Sequence, residues 1–219
     1  DAELEKRDFG TWLHRTLYLF HEEWARQGQT PTASTHDALA ARLDAAAATA
    51  AREQHLDPVA FLPYQLAWPA TRDGYLKWLL EEYLALQARY VQGEARLRRL
   101  LQDALYPDSA PLPPQAVELT GTIDRIDQAT DGGPRLLLDY KSGNAQSIQA
   151  RIRQPDEHVQ LLFYAALLAP EPVRTAYLTI GERGETRLQE QHDADAGVQP
   201  LLRRIAHDFG IVSNLTTSP

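Results

Sequence analysis

The chain has 219 residues, a formal net charge of −8 and no cysteine. Its length is enough for one large domain, and 43% apolar with 24% charged residues is ordinary for a folded protein in water. No apolar stretch approaches the roughly 20 residues of a membrane-spanning helix, and residues 1–6 do not form the start of a signal peptide. We therefore expect a cytoplasmic protein without disulfides, thiolate-bound zinc or a membrane partner.

The excess of acidic side chains argues against a protein that coats nucleic acid through bulk charge. It leaves room for a local basic groove, because arginines cluster at 96–99, 151–153 and 203–204. Taken alone, each cluster is typical of a solvated surface. The chain neither starts with methionine nor contains one. This is expected of a piece cut from a longer protein, or of a sequence from which modified methionines are missing.

Helical patterns fill the first hundred residues. Apolar residues recur every three or four positions from Leu4 to Trp24, which predicts an amphipathic helix. Thr35 is suited to cap a second, alanine-rich helix that runs to about Gln54.

The segment from 56 to 105 is harder to interpret. Prolines predict a short helix or an irregular stretch at 56–68. Asp73 is suited to cap a long helix that continues through Leu86. Gly93 is expected to interrupt this helix, which then resumes as far as Leu105.

Strand patterns begin after a proline-rich boundary at 107–114. Residues 117–127 alternate in polarity, a Gly-Gly-Pro turn follows at 132–134, and residues 135–141 return as the second strand of a hairpin. The remaining predicted elements are a helix at 156–168, strands at 173–180 and 185–189, and a last helix at 193–209.

This order predicts an α/β fold in which a central mixed sheet is flanked by helices and preceded by an N-terminal helical lobe. Leu136 and Leu138 point to one face of their strand and Leu137 to the other, so the strand should be covered on both sides. We expect a single domain over residues 1–219. Its mainly helical part spans 1–106 and its α/β core spans 115–210.

The most informative residues are Asp139 and Lys141, at the end of the predicted hairpin. Residues two apart in a strand share a face, so the carboxylate and the ammonium should project together. On the preceding strand Asp124 lies on the polar face. Asp127 lies on the opposite face, and we assign it a structural role. Antiparallel pairing would bring Asp124 close to Asp139.

Two carboxylates at close range repel each other unless a cation joins them. Their oxygen atoms suit Mg²⁺ or Mn²⁺, and such an ion would polarise a phosphate group and a bound water. Lys141 would orient that water and neutralise developing phosphoryl charge. The pattern therefore predicts phosphodiester hydrolysis, although an Asp-Tyr-Lys segment by itself is also typical of a surface ion pair.

The segments Gly-Thr-Ile-Asp-Arg-Ile-Asp at 121–127 and Leu-Asp-Tyr-Lys-Ser-Gly at 138–143 resemble the core of RecB-type nucleases (RecB/AddB-like exonucleases) in the PD-(D/E)xK superfamily. In that family a helix after the core strands carries a glutamine and a tyrosine four residues apart. Gln160 and Tyr164 match this pattern, and their spacing places both on one helix face.

The family also places a histidine behind a glycine on an N-terminal helix. Gly10 and His14 match. The resemblance implies a metal site formed by His14, Asp124, Asp139 and the main-chain carbonyl of Tyr140. Gln160 and Tyr164 would belong to the catalytic residues and position the phosphate or the attacking water.

The resemblance implies a restriction-endonuclease-like core and a Mg²⁺- or Mn²⁺-dependent deoxyribonuclease. It further implies an exonuclease that acts on DNA ends or single strands in recombination and repair, with a helicase module in the same chain or complex. Two departures stand out. Ile123 replaces the proline of the motif's name, and the four cysteines that hold an iron–sulfur cluster in some members are absent. The chain thus belongs to a cluster-free branch, or lacks the segment that would contribute them.

Two other functions compete with this prediction. One is a catalytically inactive DNA-binding or scaffold domain that retains the nuclease fold. The other is a hydrolase of a small phosphorylated substrate, which is disfavoured because no glycine-rich loop suited to cradle phosphate is present.

Overall fold

A mixed five-stranded sheet lies between two layers of helices in the computed structural model, which describes residues 2–29, 34–105, 117–143, 145–153, 155–191 and 194–209. The helices are α1 (Ala2–Arg26), α2 (His36–Glu53), α3 (Leu62–Glu81), α4 (Leu101–Ala104), α5 (Ala145–Ile152), α6 (Pro155–Leu168) and α7 (Ala194–Asp208), with a 3₁₀ helix at Tyr83–Leu86. The strands are β1 (Ala88–Leu100), β2 (Glu118–Ala129), β3 (Arg135–Gly143), β4 (Val173–Gly181) and β5 (Thr186–Gln191).

The strands follow chain order across the sheet, from β1 to β5. β3 and β4 run parallel, whereas the other neighbouring pairs are antiparallel. A parallel pair needs a long crossover connection, and here α5 and α6 supply it. The predicted mixed sheet and the β2–β3 hairpin are therefore confirmed.

The first helical layer consists of α1, α2 and α3. Trp12, Leu17 and Phe20 belong to the apolar stripe of α1, and all are buried in a core that reaches Tyr140 and Leu178 of the sheet. Burial of such a stripe is what stabilises an amphipathic helix in a protein. The predicted first two helices are confirmed, and the side chain of Thr35 accepts a hydrogen bond from the main-chain N–H of Ala38, as its capping role requires.

The second layer consists of α6 and α7, which pack on the opposite face of the sheet. Leu161 and Leu202 from these helices share a core with Ile123 and Leu137. The neighbours of Leu137 in the chain, Leu136 and Leu138, face the other way and form a separate buried cluster. The predicted coverage of β3 on both faces is confirmed.

The prediction for residues 56–86 is partly wrong. α3 begins at Leu62, so Asp73 lies inside the helix and does not cap it. Pro63 falls in the first turn, where its missing N–H has no helical partner to lose, and the helix also contains Pro69. Burial of Tyr75, Leu76, Trp78 and Leu79 outweighs the cost of that internal proline.

The prediction of helix from 93 to 105 is wrong over residues 93–100, which belong to the strand β1, and correct at its end, where residues 101–104 form α4. Alanine, glutamate, arginine and leucine favour helix when the segment is considered alone. Pairing with β2 along its whole length overrides that preference. Gly93 does not interrupt a helix but lies where a side chain would collide with Tyr90 and Tyr18. A further difference concerns α5, which the sequence pattern does not predict. The predicted boundary at 107–114 lies outside the described residues.

A fully buried ion pair joins the first helical layer to the sheet. Arg125 donates to both carboxylate oxygens of Asp127, at 2.7 and 2.9 Å, and both side chains are completely inaccessible to solvent. The guanidinium also donates to Tyr75, contacts the His21 ring at 3.0 Å and lies 4.8 Å from the centre of the Tyr83 ring. Burial, followed by the charge of Arg125, lowers the pKa of His21, so the ring is neutral and accepts this bond.

We predict that Asp127→Asn lowers the free energy of unfolding by about 3 kcal/mol or more, because it leaves the Arg125 charge buried without a counter-ion. Urea denaturation measures the loss. Glu190→Gln, which disrupts the more exposed pair between Glu190 and Arg174, is the matched control and should cost less than about 1 kcal/mol. Equal losses in the two variants would contradict the prediction.

Candidate active site

The candidate site lies where β2 and β3 stop pairing. The two strands pair from Gln128 with Arg135 to Arg125 with Leu138. One residue beyond the last pair, the carboxylate of Asp124 replaces a main-chain oxygen as the acceptor and receives a hydrogen bond from the N–H of Tyr140 at 2.8 Å. This bond fixes the Asp124 carboxylate at the opening between the strands.

Asp139 and Lys141 project to the same side of β3, as their spacing predicts. The Lys141 ammonium lies 2.9 Å from Oδ2 of Asp139 and donates to Oε1 of Gln160, also at 2.9 Å. Gln160 donates through its amide nitrogen to Oδ1 of Asp139 at 3.0 Å and to the Tyr164 hydroxyl at 2.9 Å. The α6 spacing of four residues thus brings Gln160 and Tyr164 onto the same carboxylate, because Tyr164 also contacts Oδ1 of Asp139 at 3.3 Å.

His14 reaches the site from α1, on the other side of the opening. One ring nitrogen, Nδ1, lies 3.4 Å from Oδ1 of Asp124, and the other, Nε2, lies 3.1 Å from the main-chain oxygen of Tyr140. Both neighbours are acceptors, so only the doubly protonated ring satisfies both. Burial lowers the pKa of His14, but the hydrogen bond and charge of Asp124, aided by Asp139 and the Tyr140 carbonyl, outweigh it and raise the pKa.

The environment of Asp139 strongly perturbs its carboxyl group. Burial raises its pKa to about 6, and the negative charge of Asp124 acts in the same direction. The positive charges of Lys141 and His14 oppose this shift without cancelling it. Burial and the nearby carboxylates also raise the pKa of Tyr164, which therefore remains a neutral phenol able to donate.

These side chains line one cleft of about 1310 Å³. His14 and Gly10 of α1 form one wall, and a side chain at Gly10 would press on Ser142 at the end of β3. Gln160 and Tyr164 of α6 lie on another wall. The structure brings together all the groups that the sequence analysis places in the site, namely the side chains of His14, Asp124, Asp139, Lys141, Gln160 and Tyr164 and the main-chain carbonyl of Tyr140.

The donor set of the cleft fits a divalent cation in its chemistry. Two carboxylates, one main-chain carbonyl and one imidazole are the ligand types that Mg²⁺ or Mn²⁺ accepts. The raised pKa of Asp139 shows that nearby positive charge only partly compensates the buried negative charge. Among the described residues, however, no three His, Cys, Asp or Glu side chains lie close enough together to form a ready metal cage. His14 and Asp139 are instead engaged with neighbouring protein groups, and His14 would have to release a proton to bind metal.

Sequence reasoning missed other parts of the cleft. Arg7, Arg96 and Thr122 also line it. The sequence pattern indicates Arg96 only as a member of a surface cluster, since it predicts helix for this segment. The period of two in Ala95, Arg96, Leu97 and Arg98, apolar and basic by turns, is the signal that would have indicated a strand.

The chain belongs to the PD-(D/E)XK nuclease superfamily, whose family model matches residues 1–212. The restriction-endonuclease-like fold predicted from sequence is thereby confirmed. Nucleases of this superfamily generally use divalent metals, and membership implies a DNA substrate. Comparison with curated protein sequences gives no significant match. Within the described part of the chain, no helix is both long and apolar enough to cross a lipid bilayer.

The raised pKa of Asp139 predicts how stability depends on pH. A carboxyl whose pKa is about 6 in the folded protein and about 4 when unfolded favours folding at low pH, and this contribution is lost as pH rises between those values. With metal removed by EDTA, the free energy of unfolding of the wild type should therefore fall by roughly 2–3 kcal/mol relative to Asp139→Asn between about pH 4 and about pH 7.

Urea titrations at several pH values measure this difference, in which contributions common to both proteins cancel. Asp208→Asn removes an exposed carboxylate on α7 and should give a curve parallel to that of the wild type. A constant difference between wild type and Asp139→Asn across the range would refute the assignment of a raised pKa.

Proposed function

We propose that this protein is a Mg²⁺- or Mn²⁺-dependent deoxyribonuclease of the RecB type. The observation that carries the proposal is the convergence of two systems on one cleft. One is the Asp139–Lys141–Gln160 network, and the other is the Asp124–His14 pair on the facing side. The side chains of these two systems come from β2, β3, α1 and α6, so local sequence alone does not bring them together.

His14, Asp124, Asp139 and the carbonyl of Tyr140 would hold the metal. When bound, the cation polarises the scissile phosphate and lowers the pKa of a water. Hydrogen bonds within the protein already orient the two carboxylates without an ion. The N–H of Tyr140 orients Asp124 through Oδ2, and Gln160 with Tyr164 orients Asp139 through Oδ1.

Lys141 supplies the positive charge that hydrolysis requires near the phosphoryl oxygens. Its ammonium is almost fully buried, and bonds to Asp139 and Gln160 hold it in place, so little reorganisation is needed when substrate charge develops. We assign Lys141 to orienting the attacking water and stabilising the pentavalent transition state. Gln160 and Tyr164 position the phosphate or that water through the same network.

The finer assignment follows the likeness of residues 121–127 and 138–143 to RecB-type nucleases. We propose an exonuclease that acts on DNA ends or single strands in recombination or repair. We further propose that it works beside a helicase module, in the same chain or in a complex.

We predict that the wild-type protein cleaves linear DNA in the presence of Mn²⁺ and that Lys141→Ala lowers the rate by about a hundredfold or more, since a preorganised charge is lost. Lys77→Ala is the matched control, because Lys77 is an exposed lysine of α3, outside the cleft. Gel assays with linear and circular, single- and double-stranded DNA give the measurement. Resistance of circular substrates supports the exonuclease, whereas cleavage of circles would make the protein an endonuclease. Equal activity of Lys141→Ala and wild type would overturn the catalytic assignment.

We also predict that the protein binds Mn²⁺ in the absence of DNA and that Asp124→Asn abolishes this binding, because it removes a ligand oxygen with its charge. Isothermal calorimetry measures the binding, and Asp208→Asn, which changes an exposed carboxylate on α7, should leave it unchanged. A correctly folded wild type that binds neither Mn²⁺ nor Mg²⁺ would point to the inactive DNA-binding scaffold.

A further inference from the structure

The open face of β1 and β2 leads directly to the candidate active site. Arg96 pairs with Thr122 and Arg98 pairs with Thr120 across the two strands. Paired residues share a face of the sheet, and Thr122 lies two residues before Asp124, so this face ends at the Asp124 carboxylate. The four side chains are exposed. Arg96 and Thr122 line the same cleft as Asp124 and Lys141.

The opposite face of these strands is covered by helices. Leu97 packs against the core formed with α6 and α7, and Gly121 lies so close to Leu167 and Phe163 of α6 that a side chain there would collide with them. The alternation of β1 therefore directs Arg96 and Arg98 to the one face on which a ligand can approach.

The arginines of this face are available for a ligand. Arg96 forms no ion pair with any residue that the structure describes. Arg98 has only a weak neighbour, the exposed Glu118 carboxylate at 3.9 Å. In a chain with a net charge of −8, an exposed pair of arginines beside a cluster of carboxylates provides local positive charge where an anionic polymer must approach.

We propose that Arg96, Arg98, Thr120 and Thr122 form a track that binds the phosphates of a single DNA strand on one side of the bond to be cut. The proposal rests on the proposed nuclease function and specifies how its substrate lies. Side chains two apart in a strand are separated by about 7 Å, and a flexible single strand can extend until successive phosphates match that spacing. Arginine and threonine are common phosphate ligands that carry no base preference.

The test is binding of a fluorescently labelled thymidine oligonucleotide of about 20 nucleotides, measured in EDTA so that no metal bridges protein and phosphate. The track variant is Arg96→Ala with Arg98→Ala. The control variant is Arg203→Ala with Arg204→Ala, which changes net charge equally. Arg203 and Arg204 are exposed on α7, and Arg204 has a similarly weak neighbour in Asp208 at 4.0 Å. None of the described residues that line the cleft belongs to α7.

The track variant should bind at least tenfold more weakly than wild type, and its slope of log affinity against log salt should be smaller by about 1.4, as expected for two lost contacts to single-stranded phosphates. The control variant should keep affinity within about twofold of wild type. With Mn²⁺, the track variant should show a raised KM and a nearly unchanged kcat. Thermal melts confirm that both variants are folded.

Other outcomes separate this inference from the function on which it rests. Charged side chains on an edge strand also prevent sheets from pairing edge to edge, and if that is their only role the track variant will bind DNA as tightly as wild type. Equal weakening in both double variants would attribute binding to bulk charge. Either result overturns the proposed track. Cleavage of DNA by the wild type would still support the proposed nuclease function. A wild type that neither binds nor cleaves DNA overturns both.

Discussion

The fully buried Arg125–Asp127 ion pair is the interaction on which the arrangement of the candidate site depends. Two charges without solvent contact are tolerated only when they neutralise each other and their remaining donors find partners. Arg125 meets this condition by contacting His21 of α1 and Tyr75 of α3, so the pair requires both helices to pack on β2. Because Arg125 directly follows Asp124, fixing the guanidinium also fixes the backbone from which Asp124 projects.

The same network helps to determine where His14 lies. His21 and His14 are two turns apart on α1, and the contact of His21 with the buried guanidinium anchors the helix against the sheet. His14 then reaches Asp124 and the Tyr140 carbonyl. The helical layer is thus part of the site, because without its packing the imidazole would have no fixed position relative to the carboxylates.

Two buried ion pairs among the described residues, Arg125–Asp127 and Lys141–Asp139, differ in their electrostatics, and only the second belongs to the candidate site. Arg125 binds both oxygens of Asp127. Burial acts to lower the pKa of the guanidinium, but the charge of Asp127 helps to raise it well above its ordinary value, which is the behaviour of a mutually stabilising pair. Asp139 keeps a raised pKa despite the ammonium of Lys141 beside it. Burial and the charge of Asp124 both disfavour the negatively charged form of Asp139. Such an arrangement lowers the stability of the folded protein, and active sites commonly tolerate it.

Much of the site could be predicted from sequence because its residues obey short periods. The spacing of two placed Asp139 with Lys141 on β3, and the spacing of four placed Gln160 with Tyr164 on α6. His14 is different, since 126 residues separate it from Tyr140 and no local rule brings them together. Only the resemblance of the Gly10–His14 segment to a known family indicated its place.

The helix prediction for the segment that forms β1 is wrong for a physical reason, which also bears on how an acidic protein approaches DNA. Alanine, glutamate and arginine favour helix locally, and the strand forms because its alternate residues Ala95 and Leu97 complete a core built by β2 and α6. The same alternation places Arg96 and Arg98 on the uncovered face. Charge that appears as an unremarkable cluster in the sequence is thereby concentrated beside the carboxylates. Charges more than a Debye length of about 10 Å from these arginines are largely screened, so the distant acidic residues that make the net charge negative oppose DNA only weakly here.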